Sequence, residues 1–262
     1  MRVVGIIQAR MGSARFPGKM LARLAGRPLL WHVIARMRMA VSLDDLILAT
    51  TDAASDDILA MFAKGLGLTV VRGPEENVLE RFVIAADARH ADVIVRINGD
   101  APLVDPTFTD KLVTALIHQD ADYADAPPGV PCFHDGVDPM SRRILERMFA
   151  EVSWDPMARE HVSGYLKQHP QYGTRAHVEV EPSLRHASPR LSVDVPADLA
   201  FFEDLYKRFE ARPGHLDLRA VATAFAAGRL VRDGTAPNSE PVVPGAKRKA
   251  PKKGSGASGA GR

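Results

Sequence analysis

The residues best suited to chemistry stand in one short run near the start of the chain, Gln8-Ala9-Arg10-Met11-Gly12-Ser13-Ala14-Arg15-Phe16-Pro17-Gly18-Lys19. Three fixed cations, Arg10, Arg15 and Lys19, share this run with two glycines and the Ser13 hydroxyl. Glycine lets backbone N–H groups approach an anion closely. Arginine forks and a lysine point charge match phosphate oxygens. The chemistry this combination suits is the grip of a polyphosphate. The spacing is not that of a P-loop, because five residues separate Gly12 from Gly18-Lys19 and Met20 stands where a serine or threonine would hold magnesium. The dinucleotide fingerprint GxGxxG is also absent. Read by spacing alone, a solvated basic loop fits the run equally well.

Two later segments supply carboxylates. In Val95-Arg96-Ile97-Asn98-Gly99-Asp100-Ala101-Pro102-Leu103-Val104-Asp105-Pro106, Asp100 follows directly on an apolar strand. In Leu191-Ser192-Val193-Asp194-Val195-Pro196-Ala197-Asp198-Leu199, Asp194 closes a second one. Carboxylates so placed can hold Mg²⁺ against substrate phosphates, since Mg²⁺ takes one or two protein carboxylates plus phosphate oxygens. Asp105 reads instead as a helix cap, and Asp198 as an electrostatic partner of a helix N-terminus. Asp120-Ala121-Asp122 has the letters of a glycosyltransferase metal motif but falls just after a helix, away from the phosphate loop.

The elements that must position these residues follow from hydrophobic pattern. Val3 to Ile7 is a continuous apolar run, as in strands buried on both faces of a parallel sheet. Further strands are expected at Leu46–Thr50, Leu68–Val71, Val93–Ile97, His177–Val180 and Leu191–Asp194. Helices are expected from Gly26-Arg27-Pro28 onward, then over Ser55–Lys64, Asn77–His90, from Asp105-Pro106, and over Ala197–Phe209 and Leu216–Ala227. This alternation predicts βαβ units in an α/β three-layer sandwich with a mostly parallel sheet. Ligands in such sheets bind beyond the carboxyl ends of the strands, where the basic loop and both aspartates fall. Residues 1–232 are expected to form the domain, with about 126–181 a less regular lobe for the acceptor or a dimer contact.

The first motif, Gln8 to Ser13 with Arg15, Pro17, Gly18 and Lys19, resembles the nucleotide-binding signature of the sugar cytidylyltransferases. The branch it resembles most is the spore-coat polysaccharide biosynthesis type, with CMP-sialate and CMP-Kdo synthetases as relatives. The likeness runs in motif order over about residues 1–230 and is looser in the central third. It implies a nucleotide-diphospho-sugar transferase fold of the glycosyltransferase-A-like kind. It implies transfer of CMP from CTP to a sugar acid with release of pyrophosphate, Mg²⁺ as cofactor and a homodimer. Gln8, Ala9, Arg10, Gly12, Ser13, Arg15 and Lys19 are then nucleotide-binding. Arg15, Lys19, Asp100 and Asp194 are catalytic, the two aspartates through the metal. Asn98 stands where this branch often has threonine, and Arg81, in Asn77-Val78-Leu79-Glu80-Arg81-Phe82, falls in the segment near base and ribose. Arg159-Glu160-His161-Val162 resembles an element near the acceptor or dimer contact, which makes Glu160 and His161 substrate-binding candidates. Asp138 joins them from Asp135-Gly136-Val137-Asp138, although Pro139-Met140 replace the acidic residue usual just after it.

Composition sets the remaining bounds. With 262 residues, 46% hydrophobic and 25% charged, the chain can bury a full core. From Pro244 onward there are six basic residues and no acidic one, so residues 1–243 carry a net charge of −4. That basic tail, 233–262, has a composition expected to stay disordered. Its clusters have no interleaved aromatics, which argues against a nucleic-acid partner. The single cysteine, Cys132, the lack of a signal-like start and the lack of a long apolar run point to a cytoplasmic protein without a membrane span. A phosphate loop does not choose among bases. Another nucleoside triphosphate, a sugar-phosphate acceptor, or a glycosyltransferase on the same fold therefore stays open at this point.

Overall fold

The structure, a computed structural model, describes residues 1–127, 129–130, 133, 136–185, 191–230 and 232. Apolar runs build the centre. β1 (Val3–Gln8) is buried along all but its last residue. The basic loop leads through a single 3-10 turn, Lys19–Leu21, into a short ribbon of β2 (Arg23–Leu24) and β3 (Arg27–Pro28), then into α1 (Leu29–Met37). Pro28 is thus spent on the ribbon and caps α1 instead of opening its first turn. β4 (Asp45–Thr51), α2 (Asp57–Gly65), β5 (Thr69–Gly73), α3 (Val78–Arg89), β6 (Val93–Asn98) and α4 (Pro106–His118) follow in the expected alternation. β1 pairs in parallel with β4 on one side and β6 on the other, so that Ile6 lies between Ile47 and Arg96.

The second half departs from expectation. β7 (Tyr123–Asp125), β8 (Val137–Ser141) and, after α5 (Arg142–Val152), α6 (Pro156–His161) and α7 (Ser163–Gln168), β9 (Arg175–His177) all join the same sheet. The order is β5-β4-β1-β6-β8-β7-β9, with β8 antiparallel to both β6 and β7. The stretch read as a loose lobe therefore supplies sheet strands. β9 also forms two residues earlier than the expected His177–Val180 strand. The remaining elements are α8 (Pro196–Phe209), the ribbon of β10 (Glu210–Arg212) and β11 (His215–Leu216), and α9 (Leu218–Ala226).

Leu191–Asp194 is not a strand. Its backbone is used otherwise: the Val193 N–H donates to the Asp100 carbonyl at 2.8 Å, and the Val193 carbonyl accepts from Lys19 Nζ at 2.8 Å. The basic tail beyond Arg232, Cys132 and Asp135 lie outside the described residues.

Alternating side chains of β1 and β6 feed two cores. Val3, Ile7, Val95 and Ile97 pack with α1, α4, α8 and α9, while Val4, Ile6 and Ile94 pack with α3 and α5. Helices thus cover both faces of the sheet, which is the three-layer sandwich. Among the described residues no helix is long and apolar enough to cross a membrane.

Gly99 marks where β1 and β6 release their chains toward one point. Its N–H donates to the Gln8 carbonyl at 3.0 Å, and an added Cβ would lie 2.9 Å from both Ala9 Cβ and that carbonyl oxygen. Gly99→Ala is expected to lower unfolding stability by about 1–3 kcal/mol through overpacking, read as the urea midpoint. An unchanged midpoint would show that the two strand ends are not held this tightly.

Candidate active site

The phosphate-loop candidate is folded back on itself. The Met11 carbonyl accepts from Ser13 N at 2.9 Å and from Gly18 N at 3.0 Å, and Ser13 Oγ accepts from Phe16 N at 3.3 Å. Gly18 has φ +74°, which glycine adopts without a side-chain penalty. The loop is pinned from below by Asp56, a residue the sequence reading passed over. Asp56 Oδ1 accepts from Met11 N at 2.7 Å, and Oδ2 accepts from Thr50 Oγ1, Thr51 Oγ1 and Thr51 N. Burial pushes its carboxyl up, but the hydrogen bonds from Thr51, Met11 and Thr50 outweigh that and hold it below the usual carboxylate range. The available signal was an acid five residues beyond a threonine pair, at the junction from strand to helix.

Loop closure delivers Lys19 to a buried position. Its Nζ donates to Asp100 Oδ2 at 2.6 Å and to the Val193 carbonyl at 2.8 Å, and lies 3.6 Å from Asp194 Oδ1. Arg15, more exposed, reaches Asp194 Oδ1 at 3.0 Å. Asp194 is oriented by Ser192 Oγ at 2.8 Å, and its N–H and that of Val195 are both accepted by Asp198 Oδ2. Asp198 therefore serves the start of α8, as expected. Asp105 likewise caps α4, accepting from Thr107 N at 2.9 Å.

Arg15, Lys19, Asp100, Ser192 and Asp194 line a cleft of about 400 Å³ at the carboxyl ends of β1 and β6. Gln8, Ala9, Arg10, Ser13, Arg81, Asn98, Glu160 and His161 line it as well. Five cations, Arg10, Arg15, Lys19, Arg81 and Arg96, face three carboxylates, Asp100, Glu160 and Asp194. Arg10 sits between Glu75 at 3.0 Å and Glu160 at 3.7 Å. Arg81 is buried and donates to the carbonyls of Pro74 and Glu75. The carboxamide oxygen of Asn98 is buried with no partner among the described residues. Glu160 and His161 are carried in by α6 just before Val162, whose φ of +47° is a strained conformation for a β-branched residue.

Two of the expected site residues fall outside the cleft lining. Gly12 does not line the cleft; a Cβ there would press on Glu75 Oε1 at 3.1 Å, so the glycine makes room for the carboxylate that holds Arg10. Asp138 does not line it either. It is 2% exposed and accepts from Arg96 Nη1, Ser163 Oγ and Tyr123 Oη, with Lys167 Nζ at 2.8 Å. Burial alone would raise its carboxyl; Lys167 and Arg96 instead hold it well below the ordinary range. Asp138 is thus the anchor of Arg96, whose Nε donates to Gln8 Oε1 at 3.0 Å and whose side chain lines the cleft. Arg96 was missed because an arginine inside a strand reads as an edge residue until its buried partner is known. Asp122 of the Asp-x-Asp triplet is taken up by Thr174, Ser141 and Arg143 and lies outside the cleft.

Mg²⁺ held jointly with phosphate needs one or two carboxylates, with phosphate and water oxygens completing its shell. Asp100 and Asp194 fit that donor set, because both line the cleft and reach the same ammonium group. Among the described residues no cluster of three or more His, Cys, Asp or Glu would hold an ion by itself.

Cations gathered beyond the strand ends around two carboxylates, on this sandwich, define a nucleotidyltransferase-class α/β enzyme. The family model for cytidylyltransferases matches residues 4–221. The chain is 34% identical over 218 residues to the spore coat polysaccharide biosynthesis protein SpsF of Bacillus subtilis, covering 80% of this chain and 89% of that protein. It is 38% identical over 120 residues to the 3-deoxy-manno-octulosonate cytidylyltransferase of Solibacter usitatus, covering 45% and 46%. Among solved structures it is similar to a cytidylyltransferase from Leptospira borgpetersenii, with TM-score 0.79, 22% identity, and coverage of 91% and 100%. It is also similar to CMP:2-keto-3-deoxy-manno-octonic acid synthetase complexed with CTP, with TM-score 0.64, 18% identity, and coverage of 79% and 99%. The chain belongs to the cytidylyltransferase family, and the resemblance to the spore-coat type is borne out.

Removing the Asp56 carboxylate leaves the Met11 and Thr51 N–H groups without their acceptor. Asp56→Ala is expected to cost about 2–4 kcal/mol, measured by denaturant unfolding at neutral pH. Because the folded pKa lies below the unfolded value, this stability is fully present above about pH 4 and is lost as pH falls through the folded pKa. The gap between wild type and variant should therefore narrow on acidification. A gap that stays constant with pH would contradict the assignment.

Proposed function

We propose that this enzyme transfers CMP from CTP to a sugar acid, with Mg²⁺, and releases pyrophosphate in the synthesis of a surface polysaccharide. A sugar hydroxyl oxygen bonds to the α-phosphorus and gives up its proton to solvent, while the bond to the bridging oxygen breaks and pyrophosphate leaves with the electron pair. The observation that carries the reading is the junction of Lys19 with Asp100 and Asp194 inside a cleft rich in arginine. Such a site works by positioning and by charge neutralisation.

Arg15 is exposed and, among the described residues, tied only at its tip to Asp194, so it can turn to a phosphate oxygen, and the Lys19 ammonium lies beside Asp100 and Asp194. Asp100 and Asp194 would hold Mg²⁺, which when bound offsets charge on the departing pyrophosphate. Arg81 and Asn98 line the cleft and are assigned to the nucleoside end, and the unpartnered Asn98 oxygen suits an amino donor such as that of cytosine. Glu160 and His161 border the same cleft and are assigned to the acceptor side. The names of the SpsF and octulosonate cytidylyltransferase relatives support CTP, a sugar acid and a polysaccharide product.

Pyrophosphate release with CTP, Mg²⁺ and a panel of sugar acids tests this reading. Asp100→Asn is expected to lower turnover by roughly a hundredfold to a thousandfold, as for loss of a preorganised electrostatic group, with the far-UV spectrum unchanged. Chelation of the metal should abolish turnover in the wild type. Turnover near wild-type level in Asp100→Asn would remove that residue from the mechanism.

A further inference from the structure

A second cavity, of about 520 Å³, lies apart from the cleft and shares no lining residue with it. It is bounded by the end of α1, the start of α4, the β10–β11 ribbon and the start of α9. Its innermost group is Arg36, 2% exposed. Arg36 Nε donates to the Val104 carbonyl at 2.7 Å and Nη1 reaches the Leu216 carbonyl at 3.5 Å. Its Nη2 has no hydrogen-bond partner, and no carboxylate forms an ion pair with it, among the described residues. An arginine stays charged even here, and its charge is offset only at a distance by Asp105, which makes no ion pair with it among the described residues.

The rim adds more positive charge. Arg212 is exposed and has no ion pair among the described residues. Lys111 and Arg219 share one acid, Glu181, at 2.6 and 2.8 Å. The other two acids of the cavity are engaged with backbone: Asp105 accepts from Thr107 N, and Asp217 accepts from Arg219 N and Ala220 N. Met39, Phe108, Leu216 and Leu218 give the cavity an apolar wall.

We propose that this cavity is a second binding site, for a small organic phosphate. The phosphate would face Arg36 Nη2 and the Arg212 side chain, and the organic part would lie on the apolar wall. The inference is independent of the reaction assigned to the cleft.

Methionine methyls separate the two places, because Met39 lines the cavity and Met20 lines the cleft. The full chain, labelled with ¹³C at the methionine methyls and assigned with Met39→Leu and Met20→Leu, is titrated with phenyl phosphate and with inorganic phosphate. Phenyl phosphate is expected to shift the Met39 signal saturably and at lower concentration than inorganic phosphate. Arg212→Glu, on the exposed rim, should weaken that binding roughly threefold to tenfold. Glu181→Gln releases Lys111 and Arg219 and should tighten it roughly threefold, a gain that misfolding does not produce. A response of Met20 alone would assign the anion to the cleft and overturn the proposal. A Met39 response unchanged in both variants would overturn it equally, as adventitious binding only.

Discussion

The buried ammonium of Lys19 is the constraint on which the rest of the site depends. An ammonium taken out of water must find acceptors, or its desolvation is unpaid. Here the acceptors come from two segments that follow it by 81 and 174 residues, Asp100 after β6 and Val193–Asp194 before α8. The Val193 N–H closes the same junction by bonding to the Asp100 carbonyl. This contact explains why Leu191–Asp194 runs beside the loop after β6 instead of adding a strand to the sheet. It also fixes both carboxylates in place, which under the proposed function would leave little reorganisation for the reacting state.

Around that junction the cleft is held at two further buried acids. Asp56 gathers four hydrogen bonds and ties the turn at Met11 to the end of β4. Asp138 gathers Arg96, Tyr123, Ser163 and Lys167 from three different elements, β6, β7 and α7, and so ties the floor of the cleft to α7 and the antiparallel half of the sheet. Arg10 and Arg15 are the more exposed cations, each paired with a carboxylate, and under the proposed function a polyphosphate would replace those carboxylates. Rigid support beneath and exchangeable ion pairs above give the cleft both position and access.

The parallel half of this fold was legible because its strands are continuous apolar runs separated by helical periodicity, and the strand ends then located Lys19, Asp100 and the capping role of Asp105. The antiparallel half was not. β8 reads Val-Asp-Pro-Met-Ser, with Pro139 opposite Val95 in the interior of the sheet and a buried acid next to it. A proline and an aspartate both argue against a central strand in sequence. Only the tertiary partners of Asp138 make that strand sensible, and none of them is adjacent to it in the chain. The same reason hid Arg96 and Asp56, and led Asp138 to be read as a substrate contact. Arg81, Asn98, Glu160 and His161 do reach the cleft, although resemblance and not spacing had pointed to them.

Under the proposed function this cleft holds a cytidine triphosphate together with a divalent metal. The most direct measurement is the thermal unfolding midpoint with Mg²⁺ and each of CTP, UTP, GTP and ATP in turn, repeated without the metal. A ligand at one hundred times its Kd adds about 2.7 kcal/mol of stability, several degrees for a chain of this size. The account expects a metal-dependent rise with CTP well above that with the other three. An equal rise with all four, or none with any, would contradict it.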